Sequence, residues 1–171
     1  METVGSLAAV VVSVVFAVAG AAKLRGPKPT EAGFVSMGLP SGLVKPVAVF
    51  ELVLSGALVV RPRVGGTVAA VTLVAFTAVL TRALTRSRRL GIPDVRCNCF
   101  GGATPLTTAT VGRNTFLVAL AVLGSSASRV RLSLPALLVA GIGFAGFVVV
   151  RQLLELRSET GSLFPVIGIS R

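Results

Sequence analysis

A series of apolar runs, each long enough to cross a lipid bilayer, constrains this chain more than any other feature. A hydrocarbon core of about 30 Å needs about 20 helical residues at 1.5 Å rise each. At that depth no water is present to satisfy backbone N–H and C=O groups, and a helix satisfies them within its own segment. The runs cover about residues 4–22, 43–60, 64–80, 106–123 and 134–150, and they are rich in Val, Ala, Leu and Gly. The fold class they predict is all-α: an integral membrane helical bundle of four core transmembrane helices plus a fifth. The whole chain, 1–171, reads as one membrane domain, a multi-pass protein of the cell membrane with a loose tail over 151–171.

Composition removes several other classes. With 53% hydrophobic and 13% charged residues, the chain is not an ordinary soluble domain. Its net charge of +11 raises nucleic acid as a partner. The basic residues, however, stand at the ends of apolar runs without aromatic interleaving, where they orient helices in a lipid bilayer. The chain has no His, and so lacks the usual general base and the usual zinc or copper ligand. A Ser–His hydrolase is thereby excluded. The first run carries Glu2 at its amino end and is followed by Lys23, Arg25 and Lys28. A secretory signal has the opposite polarity, so this run is expected to stay as a span.

The connections have their own signals. Pro29, Thr30 and Glu31 predict the start of a short interfacial helix over 32–37, which Gly38-Leu39-Pro40 then breaks. The third run is followed by a basic stretch with Arg82, Arg86, Arg88 and Arg89, leading into a loop over 91–105. Residues 105–108 read as the start of the fourth span. Gly141, Gly143 and Gly146 in the fifth run would allow close helix approach. Runs two and three form a hairpin, so the first loop and the 91–105 loop emerge on one membrane face. Phe34, Met37, Gly38, Leu39 and Pro40 therefore share that face with residues 91–105.

That loop holds the only two cysteines, Cys97 and Cys99, in the stretch Arg96-Cys97-Asn98-Cys99-Phe100-Gly101-Gly102. Thiols one residue apart can close a small strained disulfide, hold a soft metal as two thiolates, or simply pack. Strained, accessible disulfides tend to be the labile or catalytic ones, which favours exchange chemistry. Arg96 beside Cys97 would favour a thiolate, or be solvated near lipid phosphates. A copper path would need further soft ligands, and Met1 and Met37 are the only methionines. No resident metal is therefore expected; a non-catalytic assembly factor with structural cysteines is the main competitor to redox chemistry, and a soft-metal (Cu) handling membrane protein is the third reading. With two cysteines only, electrons must be exchanged with a quinone or with a partner such as a thioredoxin-like protein or a disulfide-containing client. No resident cofactor is implied.

Two charges fall inside runs. Glu51 and Arg113 each lie about eight residues, or about 12 Å, from the face that carries the cysteines. An unpaired charge at that depth costs several kcal/mol, so the two are expected to pair beneath the cysteines, either to fix the packing or to tune the thiols.

The motif Cys97-Asn98-Cys99-Phe100-Gly101 resembles the signature of the methylamine utilisation protein MauE family, among the DoxX-like membrane proteins. Met37-Gly38-Leu39-Pro40, the stretch from Pro46 through Phe50-Glu51-Leu52, and Arg113-Asn114 agree with it in order, over about residues 5–125. Asn98 departs from the pattern, in which Gly is common, and a side chain there stiffens the turn. The resemblance implies a role in maturing the disulfide-rich small subunit of methylamine dehydrogenase or other disulfide-containing proteins. Cys97 and Cys99 would be the exchanging pair.

Overall fold

The computed structural model describes residues 2–91, 96–97 and 104–130. Its elements are α1 (Glu2–Arg25), α2 (Pro27–Ser36), a 3₁₀ turn (Ser41–Leu43), α3 (Val44–Val60), α4 (Pro62–Leu90), β1 (Arg96–Cys97), β2 (Thr104–Pro105) and α5 (Thr108–Ser125). Apart from the two-residue ladder this is a helical bundle. Three segments, Glu2–Arg25, Ser41–Val60 and Pro62–Leu90, are long and apolar enough to cross a membrane. The fourth, α5, carries Arg113 and Asn114 and falls short of that measure. The chain is a multi-pass membrane protein. The predicted fifth span over 134–150 and the tail lie outside the described residues.

The helix ends follow from local chemistry. Pro27 and Pro62 each occupy the first turn of a helix, where the missing N–H is no loss and φ is already helical. The Thr107 hydroxyl accepts from the Thr110 N–H, and Thr110 answers the Thr107 N–H, closing a capping box on α5. The helix of the third apolar run, α4, continues ten residues beyond the predicted end at residue 80. Arg82, Arg86, Arg88 and Arg89 therefore sit on the same continuous helix as the third run. Leu, Ala and Arg are good helix formers, and nothing interrupts them until Gly91, whose φ of 64° ends α4 in a left-handed cap.

The bundle is an antiparallel ring. The α1 helix packs mainly against α3 and α5, α4 packs mainly against α5, and α3 meets α4 less extensively. Going round, the order is α3, α1, α5, α4, with α3 diagonal to α5. At the centre Val12 and Phe16 meet Leu54, Leu58, Ala69, Leu73, Leu117 and Ala121. Lipid is as apolar as these side chains, so close packing rather than water exclusion holds such helices together. Gly66 shows how close: a Cβ there would stand 2.6 Å from the backbone nitrogen of Ser125. At the end away from the ladder, the Ser128 hydroxyl donates to Glu2 at 2.7 Å and the Ser6 hydroxyl to the Arg129 carbonyl at 3.1 Å. Val53, Val60, Val71, Val74 and Phe116 face outward, an exterior suited to lipid.

Candidate functional site

The cysteine-bearing face is built around the ladder. The strands run antiparallel, with Arg96 opposite Pro105 and Cys97 opposite Thr104. Residues 98–103 join them, so Asn98, Cys99, Phe100 and Gly101 lie outside the described residues. For Arg96 and Cys97 the backbone is described. The α2 helix lies against β1, as the shared-face reading of the two loops requires. Phe34 on α2 is buried, and Met37 packs against the cluster of Leu80, Ala83 and Leu106 just after β2. Gly38 has φ of 81°, and the Leu39 N–H returns to the Phe34 carbonyl at 2.8 Å. Pro40 is extended and leads into the 3₁₀ turn. The first loop is thus a folded platform beside the stem of the cysteine segment.

Beneath that face the predicted pairing of Glu51 with Arg113 is replaced by another. The Lys23 ammonium donates to both Glu51 carboxylate oxygens, at 2.8 and 2.7 Å, and approaches the Ala19 carbonyl at 3.5 Å. Side chains on a helix lean toward its amino end. The α1 helix runs toward the ladder face, so Lys23 reaches inward. The α3 helix runs away from it, so Glu51 leans outward, and the two meet across adjacent helices. Arg113 is on α5, diagonal to α3. Lys23 reads in the sequence as a charge flanking the first span, and only the packing of α1 on α3 shows it to be buried.

All three groups nevertheless border one space. A cavity of about 340 Å³ is bounded by all four long helices, including Lys23, Glu51, Arg113 and Asn114 with mostly apolar neighbours. Asn114 is fixed by its amide, which donates to the Leu73 carbonyl at 3.0 Å and to the Thr77 hydroxyl at 2.6 Å. Thr77 in turn donates to Leu73 at 2.7 Å. This link between α4 and α5 was not legible from Asn114 alone, because Thr77 lies in an otherwise ordinary apolar run.

A family profile for methylamine utilisation protein MauE matches residues 1–127. The chain belongs to the methylamine utilisation protein MauE family. No curated protein and no solved structure gives a significant match. The region shared with the MauE family holds both cysteines, the α2 platform, Glu51, Arg113 and Asn114, together with Lys23. It stops two residues past the end of α5, before the apolar run over 134–150. For a MauE-family chain the candidate site therefore has two parts: the short ladder that carries Cys97 and the charged cavity among the four long helices.

Proposed function

We propose that this MauE-family protein is a membrane-embedded thiol–disulfide redox protein in which Cys97 and Cys99 exchange with a disulfide-containing client. The family points to methylamine utilisation, and the client that fits is a disulfide-rich subunit such as that of methylamine dehydrogenase. The observation that carries the reading is the stem: Cys97 stands on a ladder opposite Thr104, with α2 against it and α5 beginning three residues after β2. In this reading the anchored stem holds Cys97 near the end of the bundle, and the exchanging pair lies within reach of a client there.

In the exchange a client thiolate attacks one sulfur of the Cys97–Cys99 disulfide, forming a mixed disulfide and releasing the other cysteine as a thiolate. A second client thiolate then attacks the mixed disulfide. The client leaves oxidised, and both cysteines of the pair are left as thiols, carrying the two electrons. The reverse sequence reduces a client disulfide.

The test is thiol trapping with a maleimide reagent on the membrane-inserted chain, before and after mild reduction, alongside a client-maturation assay. Labelling of Cys97 and Cys99 is expected only after reduction, and Cys97→Ser or Cys99→Ser should abolish maturation while insertion persists. A Cys97→Ser, Cys99→Ser double variant with full maturation activity would make the protein an assembly factor and end the redox reading.

A further inference from the structure

We propose that the cavity among α1, α3, α4 and α5 is a binding site for a membrane-soluble quinone, which reaches it from the lipid between α3 and α4. The site deepens the thiol–disulfide reading and rests on it for its chemistry, though not for its binding.

The shape of the bundle supplies the access. The α3 and α4 helices are tight beside their connection, where a Cβ on Gly65 would stand 2.7 Å from the Leu58 nitrogen. They meet less extensively than the other adjacent pairs. Phe50 on α3 and Ala75 on α4 both line the cavity and are both exposed, which places an opening between these two helices, while Arg113, also lining and exposed, marks the α5 side. An opening between two membrane-crossing helices faces acyl chains, so the ligand must partition into lipid.

The lining then selects its chemistry. Phe16, Phe50 and Phe76 give the walls flat aromatic surface, which suits a ring and the first part of a prenyl tail. The volume of about 340 Å³ lies in the lower range of small-molecule sites. The polar end is specific. Asn114 is 8% exposed, and its amide nitrogen is committed to Leu73 and Thr77. Its Oδ1 accepts no hydrogen bond among the described residues, and Asn114 is one of the residues that line the cavity. A buried acceptor without a donor costs about 1–3 kcal/mol. A hydrocarbon tail cannot donate to it. A hydroquinone hydroxyl donates to Oδ1, and in the oxidised form the flat quinone ring packs on the aromatic walls.

The chemistry balances with the cysteine pair. Two thiol S–H bonds break and one S–S bond forms. The two electrons and two protons convert both quinone carbonyls to hydroxyls. The reverse direction consumes the disulfide and a hydroquinone. The quinone pool thus supplies the second redox partner that a protein with two cysteines requires.

The test uses the full chain in lipid nanodiscs with decylubiquinone as the probe. Saturable binding is expected, followed as stabilisation in far-UV circular dichroism melts, with decane giving none. The Cys97→Ser, Cys99→Ser double variant should bind as the wild type does. Ala75→Trp, which adds bulk at the exposed mouth, should weaken binding by about tenfold. Phe50→Ala, also at an exposed position, should weaken it without loss of fold and covers the case in which the tryptophan variant does not assemble. Absence of saturable binding, equal stabilisation by decane, or indifference to both mouth variants would overturn the cavity assignment. If binding is absent while thiol trapping still shows exchange, the quinone site alone falls. Binding without thiol exchange leaves the site standing and removes the redox reading.

Discussion

Replacing Lys23 with Met is the most informative single perturbation of the bundle. The Lys23 side chain is 2% exposed and that of Glu51 is 13% exposed, with the shortest N–O distance at 2.7 Å. Such a pair is held where water cannot replace either partner. Removing the ammonium leaves a carboxylate on an apolar wall, and breaking a buried pair in this way costs about 3–5 kcal/mol. The lower end is expected, because Arg113 borders the same cavity and can relieve part of the charge. Glu51→Leu alone strands the ammonium and should cost a similar amount. The Lys23→Met, Glu51→Leu double variant removes both charges, and its cost should fall about 2–3 kcal/mol below the sum of the singles. The chain has no Trp or Tyr, so intrinsic fluorescence reports little. Unfolding in SDS, followed by far-UV circular dichroism, gives the stabilities. Lys28, exposed on α2, supplies the control in Lys28→Met. If Lys23→Met costs no more than Lys28→Met, or if the double variant is strictly additive, the pair does not hold α1 to α3 and the reasoning fails.

Two further outcomes follow from the packing. Gly66→Ala places a Cβ 2.6 Å from the Ser125 nitrogen, where backbone cannot yield, so α4 and α5 must separate. It should cost about 1–3 kcal/mol in the same unfolding measurement, whereas Gly56→Ala, with nothing within 4 Å, should be near neutral. Asn114→Leu loses the bonds to Leu73 and Thr77 and should cost about 1–2 kcal/mol. Adding Thr77→Val should bring little further loss, because the two residues share one network, and a fully additive loss would show that they do not.

The positions of four helices, and the lengths of three of them, were legible because hydropathy acts along the chain, as span length does. The α2 helix and its break at Gly38 were legible for a related reason: proline and glycine act on their own backbone, wherever the segment packs. The end of α4 was not, since hydropathy stops at residue 80 while the helix continues. What ends the apolar run is charge, and what ends the helix is Gly91. The ion pair failed for a different reason. Depth along the bilayer placed Glu51 near Arg113, but depth says nothing about which helices are adjacent. Ring order decides that, and it put α1 beside α3 and set α5 across the cavity. The need of Glu51 for a partner was readable; its identity depended on the direction in which Lys23 leans. The Asn98-Cys99-Phe100-Gly101 segment lies outside the described residues, so there the reading still rests on the motif and the family.

The burial of Lys23 also bears on which way the protein faces. On the sequence, Lys23, Arg25, Lys28, Lys45, Arg82, Arg86, Arg88, Arg89, Arg96, Arg151, Arg157 and Arg171 fall on the cysteine face, against Arg61, Arg63, Arg129 and Arg131 on the other. Lys23 leaves that count, because it is neutralised by Glu51 within the bundle. The excess remains, and it is densest at the end of α4, where Arg82, Arg86, Arg88 and Arg89 follow the third span on one continuous helix. Charges this close to a span end are the ones that set orientation. The tail arginines weigh less, since their side depends on the run over 134–150; moved across, they would bring the two faces almost level. The positive-inside rule therefore puts Cys97 and Cys99 in the cytoplasm, whereas maturation of an exported, disulfide-rich client calls for them outside the reducing cytosol. The charges of this chain favour the cytoplasmic side, which would make the pair an intake for reducing equivalents. A membrane-impermeant maleimide, applied to intact cells after mild external reduction, is then expected to leave both cysteines unlabelled, with labelling appearing once the membrane is permeabilised. Labelling of Cys97 or Cys99 in intact cells would invert the topology and make the pair a direct partner of exported thiols.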